Sequence, residues 1–62
     1  MCEATVYILE SGTEELVLEG VDFLENHPDY VKITDVFGEE KVVRAKVKRF
    51  SLLNHKIVLE PL

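Results

Sequence analysis

Short runs of apolar and polar residues alternate along most of this chain, are rich in valine, isoleucine and leucine, and are separated by turn residues. A period of two is typical of strands, because successive side chains point to opposite faces of a sheet. Gly20 permits a bend or bulge, and residues 21–24 are the only candidate for a single helical turn. The pattern predicts strands over residues 2–10, 14–19, 30–37, 41–50 and 56–60, with a short further strand from Val21 to Phe23 or Leu24.

The same alternation predicts which side chains face the core. The inward positions predicted in the first strands are Cys2, Ala4, Val6, Ile8, Leu16 and Leu18. Val31 and Ile33 share one face of the strand over 30–37, and the strand over 41–50 turns Val43, Ala45 and Val47 inward and Arg44, Lys46 and Lys48 outward. Phe37, in the turn before that strand, is expected to lie against the barrel mouth.

Strands of this length and spacing predict an all-β fold: one domain over residues 1–62, built as a small antiparallel SH3-like or Sm-like barrel of five to six strands. Closure of the barrel is expected to leave no edge strand bare. A few apolar side chains are predicted to face outward, and their burial between two copies predicts a homodimer. They are Tyr7, Leu9, Val58 and Leu62.

The length and composition of the chain indicate that its fold needs stabilisation beyond that of its own hydrophobic core. A chain of 62 residues buries only about 60% of its unfolded surface. Its single cysteine excludes an internal disulfide, so a metal, a partner subunit or both are favoured. Neither a membrane-length apolar segment nor a leader-like start is visible, and we expect a soluble cytoplasmic protein. The net charge of −5 makes nucleic acid an improbable partner for the molecule as a whole.

Cys2 carries the sharpest chemical prediction. A thiolate next to a terminal amine and a backbone amide offers sulfur and nitrogen donors in one plane, which suits nickel(II) or copper(II). With Met1 retained, the donors are the Met1 amine and the amide nitrogen and sulfur of Cys2; without it, they are the Cys2 amine and sulfur. Two termini meeting on a dimer axis would supply two sulfurs and two nitrogens to one ion. The alternative is that Cys2 is a small packing residue.

The two histidines are weaker candidates for metal ligands. His27 precedes Pro28 in a predicted loop, which favours a surface turn residue, and His55 follows another turn with the parity of the inward positions, which favours a hydrogen-bonded structural role. Neither lies at a recognised spacing from a second ligand, so an ordinary zinc site is not predicted. A base and substrate cleft for catalysis by Cys2 are also not evident, and an enzyme is not predicted.

The basic stretch from Lys41 to Arg49 supports an alternative function. Arg44, Lys46 and Lys48 would project from one face of a strand about 7 Å apart, near enough to follow an RNA backbone. No exposed aromatic residue on that face is available to stack on bases. The other possibilities are that these cations pair with acidic neighbours across the sheet, or that the chain is an interaction domain without a ligand.

Four segments of the chain resemble one known family. They are residues 1–7 (MCEATVY), 35–41 (DVFGEEK), 45–48 (AKVK) and 55–60 (HKIVLE), and the Met-Cys start with the Phe-Gly-Glu turn is the most specific part. They resemble the CooT family of small nickel-binding proteins, whose namesake is associated with nickel delivery to carbon monoxide dehydrogenase. The resemblance implies a homodimer that shares one nickel ion through the cysteine at the position of Cys2. It also implies a role in nickel transport or storage, although members have been described as predicted RNA-binding proteins.

Overall fold

The computed structural model describes residues 3–62, so Met1 and Cys2, the predicted nickel donors, lie outside the described residues. Within residues 3–62 the chain forms six strands, β1 (Ala4–Glu10), β2 (Thr13–Asn26), β3 (Val31–Asp35), β4 (Glu40–Val43), β5 (Ala45–Ser51) and β6 (Lys56–Pro61). They hydrogen-bond in the order β4-β3-β2-β1-β6-β5. All neighbouring strands are antiparallel except β1 and β6, which are parallel. The prediction of a small all-β fold is confirmed.

The long strand β2 joins the two halves of the sheet. Its first half pairs with β1 and its second half pairs with β3, and Gly20 at the junction has a φ of +67°. That left-handed conformation is readily adopted by glycine because it has no Cβ. The ladders of β2 shift register on both sides of this point, which bends the strand. Residues 21–24 therefore continue β2, which confirms the short strand predicted there, and the single helical turn considered for them does not form.

The curled sheet encloses a small apolar core. Val31 and Ile33 of β3 are both fully buried, as the alternation predicted, and Ala45 of β5 closes the core from the other end of the sheet. Sheets curl in this way because strands twist and a bulge increases the twist locally. The buried residues of the core cluster are Val6, Val21, Val31, Ile33, Ala45, Ile57 and Leu59.

Leu16 does not face this core, contrary to the prediction, and 54% of its surface is exposed. Leu18 pairs with Val6 but Leu16 pairs with Tyr7, so Val17 is an additional residue between two consecutive residues of β1. One extra residue reverses the parity of the positions before it, because side chains alternate with a period of two. Leu18 consequently packs against the core, whereas Leu16 lies on the outer face with Tyr7.

The predicted strand over residues 41–50 is two strands, and the break falls at Arg44. Val43 precedes the break and Ala45 follows it, and the carbonyl of Arg44 accepts a hydrogen bond from the amide of Leu62 at 3.3 Å. Strands β4 and β5 form the two edges of the described sheet. The molecule is thus a curled half-barrel, and the closure that would have covered both edges is not formed by the described strands.

Val58 was predicted to face solvent in an apolar patch, but only 1% of its surface is exposed. It lies opposite Tyr7 of β1 and Arg49 of β5, so the three side chains share the outer face. On that face Glu14 contacts the ammonium of Lys56 at 2.6 Å and the guanidinium of Arg49 at 3.1 Å. The outer face therefore carries a charged network beside Val58, and Val58 itself contributes no exposed apolar surface.

Candidate functional site

A cavity lies at the start of the part of the chain that the structure describes. Glu3 and Ala4 line one side of a recess of about 190 Å³, next in sequence to Cys2. The cavity lies between the start of β1, the second half of β2, the end of β5 with the turn that follows it, and the start of β6. Its other lining residues are Val21, Asp22, Phe23, Leu24, Phe50, Leu52, His55 and Ile57. A mostly apolar recess with a few polar groups is typical of a binding site.

The rim of this cavity is apolar and exposed. Phe23 and Phe50 expose 52% and 59% of their surfaces, and Leu52 exposes 75%. Phe23 faces outward because β2 shifts register between Val21 and Phe23 and so places an extra residue there. Sequence reasoning missed this surface, although one signal was present: the turn after β5 contains Leu52 and Leu53, which are separated from Phe50 only by Ser51. Apolar side chains clustered at a solvent-exposed turn indicate an interaction surface.

His55 lies at the same cavity. The turn before it is fixed by the hydroxyl of Ser51, which accepts a hydrogen bond from the Asn54 amide at 3.2 Å. His55 has a φ of +50°, and its carbonyl accepts a hydrogen bond from the Thr5 amide at 2.9 Å. That bond ties the start of β6 to the start of β1. The polar residues at the cavity are therefore His55, Glu3 and Asp22.

His27 lies elsewhere, in the loop between β2 and β3. Its Nε2 is 3.1 Å from a carboxylate oxygen of Glu25, and its ring stacks on Tyr30 with 4.3 Å between ring centroids. The amide of His27 also donates to the Tyr30 carbonyl at 2.9 Å. These contacts give His27 a structural role in the loop.

Residues 3–62 contain no group of three histidine, cysteine or acidic side chains close enough together to hold a metal ion. A metal site at the cavity would thus need donors from residues 1 and 2, and the sulfur of Cys2 and the amine of Met1 are of the type that nickel(II) binds. Glu3, Asp22 and His55 line the same recess but do not form such a group among themselves. The sulfur and nitrogen donors of residues 1 and 2 are therefore the set whose chemistry fits a nickel ion.

Only two of the three cations predicted to form an RNA-binding strand lie on the same strand. Arg44 lies at the break between β4 and β5, whereas Lys46 and Lys48 lie on β5. The ammonium groups of both lysines are 3.8 Å from the carboxylate of Glu60 on the neighbouring strand. Cross-strand pairing with an acidic residue, one of the alternatives considered from the sequence, therefore applies to both lysines.

The Phe-Gly-Glu turn has a physical basis that sequence reasoning missed. The buried Asp35 carboxylate accepts hydrogen bonds from the amides of Phe37 and Glu39, both at 2.9 Å, and Gly38 takes a φ of +89°. Phe37 was expected to lie against the barrel mouth, and this prediction is wrong. The turn directs its side chain outward, and 92% of its surface is exposed. An aspartate that begins a turn and bonds the following amides is the signal that could have been recognised.

The chain is similar to known proteins over almost its whole length. Residues 1–60 match the family model described as CO dehydrogenase accessory protein CooT. An uncharacterized protein of Methanothermobacter thermautotrophicus is 35% identical over 60 residues, which cover 97% of this chain and 89% of the relative. The crystal structure of a protein assigned to CooT from Carboxydothermus hydrogenoformans superposes with a TM-score of 0.89 at 41% identity, covering 98% of each chain. The chain accordingly belongs to the CooT family of CO dehydrogenase accessory proteins.

Proposed function

We propose that this protein binds nickel(II) through Cys2 and carries or stores the ion as an accessory of carbon monoxide dehydrogenase. The observation that carries the proposal is positional: the cysteine immediately precedes Glu3 and Ala4, which line an apolar recess. The family description supplies the kind of client. An accessory protein of this kind needs a metal site and a docking surface, and it needs no catalytic machinery.

The donors follow from the chemistry of the chain terminus. The Cys2 thiolate is the strongest donor, and the Met1 amine and the Cys2 amide nitrogen complete chelate rings with it. Metal binding by these groups releases protons, so nickel affinity is expected to rise with pH while the thiol and amine are being deprotonated. Nickel is favoured over copper by the family, since the donors alone would bind copper more tightly.

A homodimer would bring two such termini together. The exposed apolar rim formed by Phe23, Phe50 and Leu52 surrounds the recess next to the chain start. Burial of these side chains between two copies would remove them from water and would place the two thiolates near one axis. Two sulfurs and two nitrogens would then surround one ion shared by two chains.

Calorimetric nickel titration of the native protein and of Cys2→Ser tests this proposal. The native protein should bind one nickel ion per two chains, and Cys2→Ser should lose measurable binding because a hydroxyl is a poor substitute for a thiolate. Saturation at one ion per chain would disprove the shared site but retain the nickel function. Equal affinity of the two proteins would refute the role of Cys2.

Among residues 3–62 no helix has the length and apolar character needed to cross a membrane. RNA binding gains no support from the arrangement of the cations, because Lys46 and Lys48 already contact Glu60. It is checked in the same preparation by RNA titration at low salt, where binding would be strongest.

A further inference from the structure

The turn between β3 and β4 presents an aromatic side chain that the core does not use. Phe37 has 92% of its surface exposed, more than any other large hydrophobic residue that the structure describes, and the preceding Val36 is also exposed. Asp35 and Gly38 set the shape of the turn, and neither requires an aromatic residue between them. A polar residue would serve the fold as well, because it would leave less apolar surface in water. The ring is therefore available for a contact outside the chain.

Hydrogen bonds hold Phe37 in a fixed position. The Oδ1 of Asp35 accepts hydrogen bonds from the amides of Phe37 and Glu39, both at 2.9 Å. The amide of Asp35 in turn donates to the Glu39 carbonyl at 2.9 Å, and the amide of Val36 donates to the Gly20 carbonyl at 2.9 Å, which fastens the turn to β2. A side chain presented on an ordered backbone loses less conformational entropy on binding, and this favours affinity.

Acidic side chains follow Phe37 directly, in the turn and at the start of β4. Glu39 and Glu40 are both exposed. Glu40 pairs with Lys32 at 3.6 Å, whereas Glu39 forms no ion pair within residues 3–62. The next cation along the chain, Lys41, donates to a backbone carbonyl of β2 at 3.2 Å. The turn therefore carries an excess of negative charge beside its aromatic ring.

Further carboxylates lie on the other side of the turn, around Gly20. A β-carbon added at Gly20 would lie 3.8 Å from a methyl group of Val36 and 3.7 Å from a carboxylate oxygen of Glu3. Glu19 precedes Gly20 and is exposed. Negative charge thus borders the apolar pair of Val36 and Phe37 from two sides. The surface that complements it is an apolar pocket rimmed by positive charge.

We propose that the turn of residues 35–40 is the surface by which this protein docks on its client enzyme, with Phe37 inserted into an apolar pocket that lysine or arginine side chains surround. The inference rests on the proposed accessory function and assigns it a docking surface. Aromatic residues at the centre of an interface carry much of its binding energy, and opposite charges at the rim orient the partners and speed association. The net charge of −5 acts in the same direction.

The test is binding of the native protein and its variants to purified carbon monoxide dehydrogenase, immobilised for biolayer interferometry. Phe37→Ser should weaken binding by about tenfold or more, as loss of a central aromatic residue does. Leu53→Ser is the matched control, because Leu53 has 91% of its surface exposed in a different turn. That variant should bind as the native protein does. Urea unfolding verifies that both variants keep the native stability, since neither side chain is buried.

Charge reversal tests the rim of the proposed contact. Glu39→Lys should weaken docking and reduce its dependence on salt, because it replaces an attraction by a repulsion. Glu10→Lys changes the net charge equally at the far end of β1, where Glu10 pairs with Thr13 in the first hairpin. This control should lose less affinity than Glu39→Lys. Equal losses in the two variants would show that net charge alone is responsible, and the positively rimmed pocket would be wrong.

The nickel titration separates this inference from the proposed nickel function. Phe37→Ser should take up nickel as the native protein does while it loses docking. Equal docking by the native protein and Phe37→Ser, or no docking by the native protein, would overturn the inference and leave nickel binding to its own test. If Phe37→Ser instead dissociates a native dimer in sedimentation velocity, a second copy of the chain covers the turn and the docking assignment is wrong.

Discussion

Asp35 illustrates how a single residue shapes the part of the chain that is most specific to the family. Only 7% of the surface of Asp35 is exposed, and its Oδ1 accepts two backbone hydrogen bonds, from the amides of Phe37 and Glu39. Hydrogen bonds to an ionised acceptor are shorter and stronger than neutral ones. The turn, and the outward position of Phe37, therefore depend on one buried oxygen atom.

Replacement of Asp35 by alanine should lower the free energy of unfolding by about 1–3 kcal/mol, because two amides lose their acceptor. Asp35→Asn keeps an oxygen acceptor and should fall between the native protein and Asp35→Ala. Urea unfolding measures the three proteins, and Asp29→Ala, in an exposed loop, should stay within about 0.5 kcal/mol of native. An equal loss at Asp29 would show that the turn is not stabilised as described.

Leucines 16 and 18 provide a second test at the residue scale. Leu18 packs on the core and Leu16 is exposed, although residues two positions apart on a strand ordinarily share a face. Leu18→Ala should destabilise the protein by more than Leu16→Ala, since only the first removes buried apolar surface. Urea unfolding of the two variants decides the order, and a larger loss at Leu16 would contradict the register of β1 and β2.

At the scale of elements, the strand pattern was predictable wherever the alternation continued without interruption. Strand β3 follows the prediction because Val31 and Ile33 are both buried. The register shifts in β2 and the break at Arg44 were not predictable, because a bulge adds a residue without changing the local composition. The long strand over 41–50 was accordingly read as continuous.

The contacts on the outer face join strands that are distant in sequence. The alternation of apolar and polar residues within one strand does not predict such contacts. The pKa of Glu14 is lowered mainly by its hydrogen bond with Lys56. Burial is the next largest effect and opposes the shift, while the charges of Lys56 and Arg49 and the hydrogen bond with Arg49 lower the pKa further. A glutamate with a lowered pKa in the folded state stabilises the fold above its ordinary pKa. That stabilisation disappears as the pH falls through the folded-state pKa, because the unfolded chain binds the proton first.

Stability should therefore decrease as the pH is lowered through the ordinary titration range of glutamate, and Glu14→Gln should reduce the part of this decrease that comes from the outer face. Urea unfolding across a pH series measures both proteins. Glu15→Gln is the matched control, because Glu15 is the exposed neighbour of Glu14 on the same strand. An identical pH profile for the native protein and Glu14→Gln would exclude a contribution of the network.

At the scale of the whole molecule, one part of the candidate site could be predicted from the sequence and another part could not. Cys2 was identifiable from its position and chemistry alone. The recess was not, because it is formed by β2, the turn before His55 and the start of β1, which come together only through the curl of the sheet. The burial of Val58, one of the residues predicted to face outward, was not predictable for the same reason, because it lies on a face where charged pairs join distant strands.

Dimerisation through the cavity rim predicts a specific mutational pattern. Phe50→Ser should dissociate the dimer in sedimentation velocity, because it removes an aromatic side chain from the proposed contact. Val42→Ser removes an apolar side chain of similar exposure, 62% against 59%, from a strand that does not line the cavity. That variant should sediment as the native protein does. A native protein that sediments as a monomer with nickel present would exclude the shared site.

The central claim is that a thiolate at the start of the chain binds nickel. The most direct measurement is an ultraviolet absorbance titration with nickel(II), because sulfur bound to the ion produces a thiolate-to-metal charge-transfer band. The native protein should develop this band until one ion is present for each pair of chains, and Cys2→Ser should show none. A native protein that takes up nickel without the band, or a Cys2→Ser variant that retains it, would contradict the account.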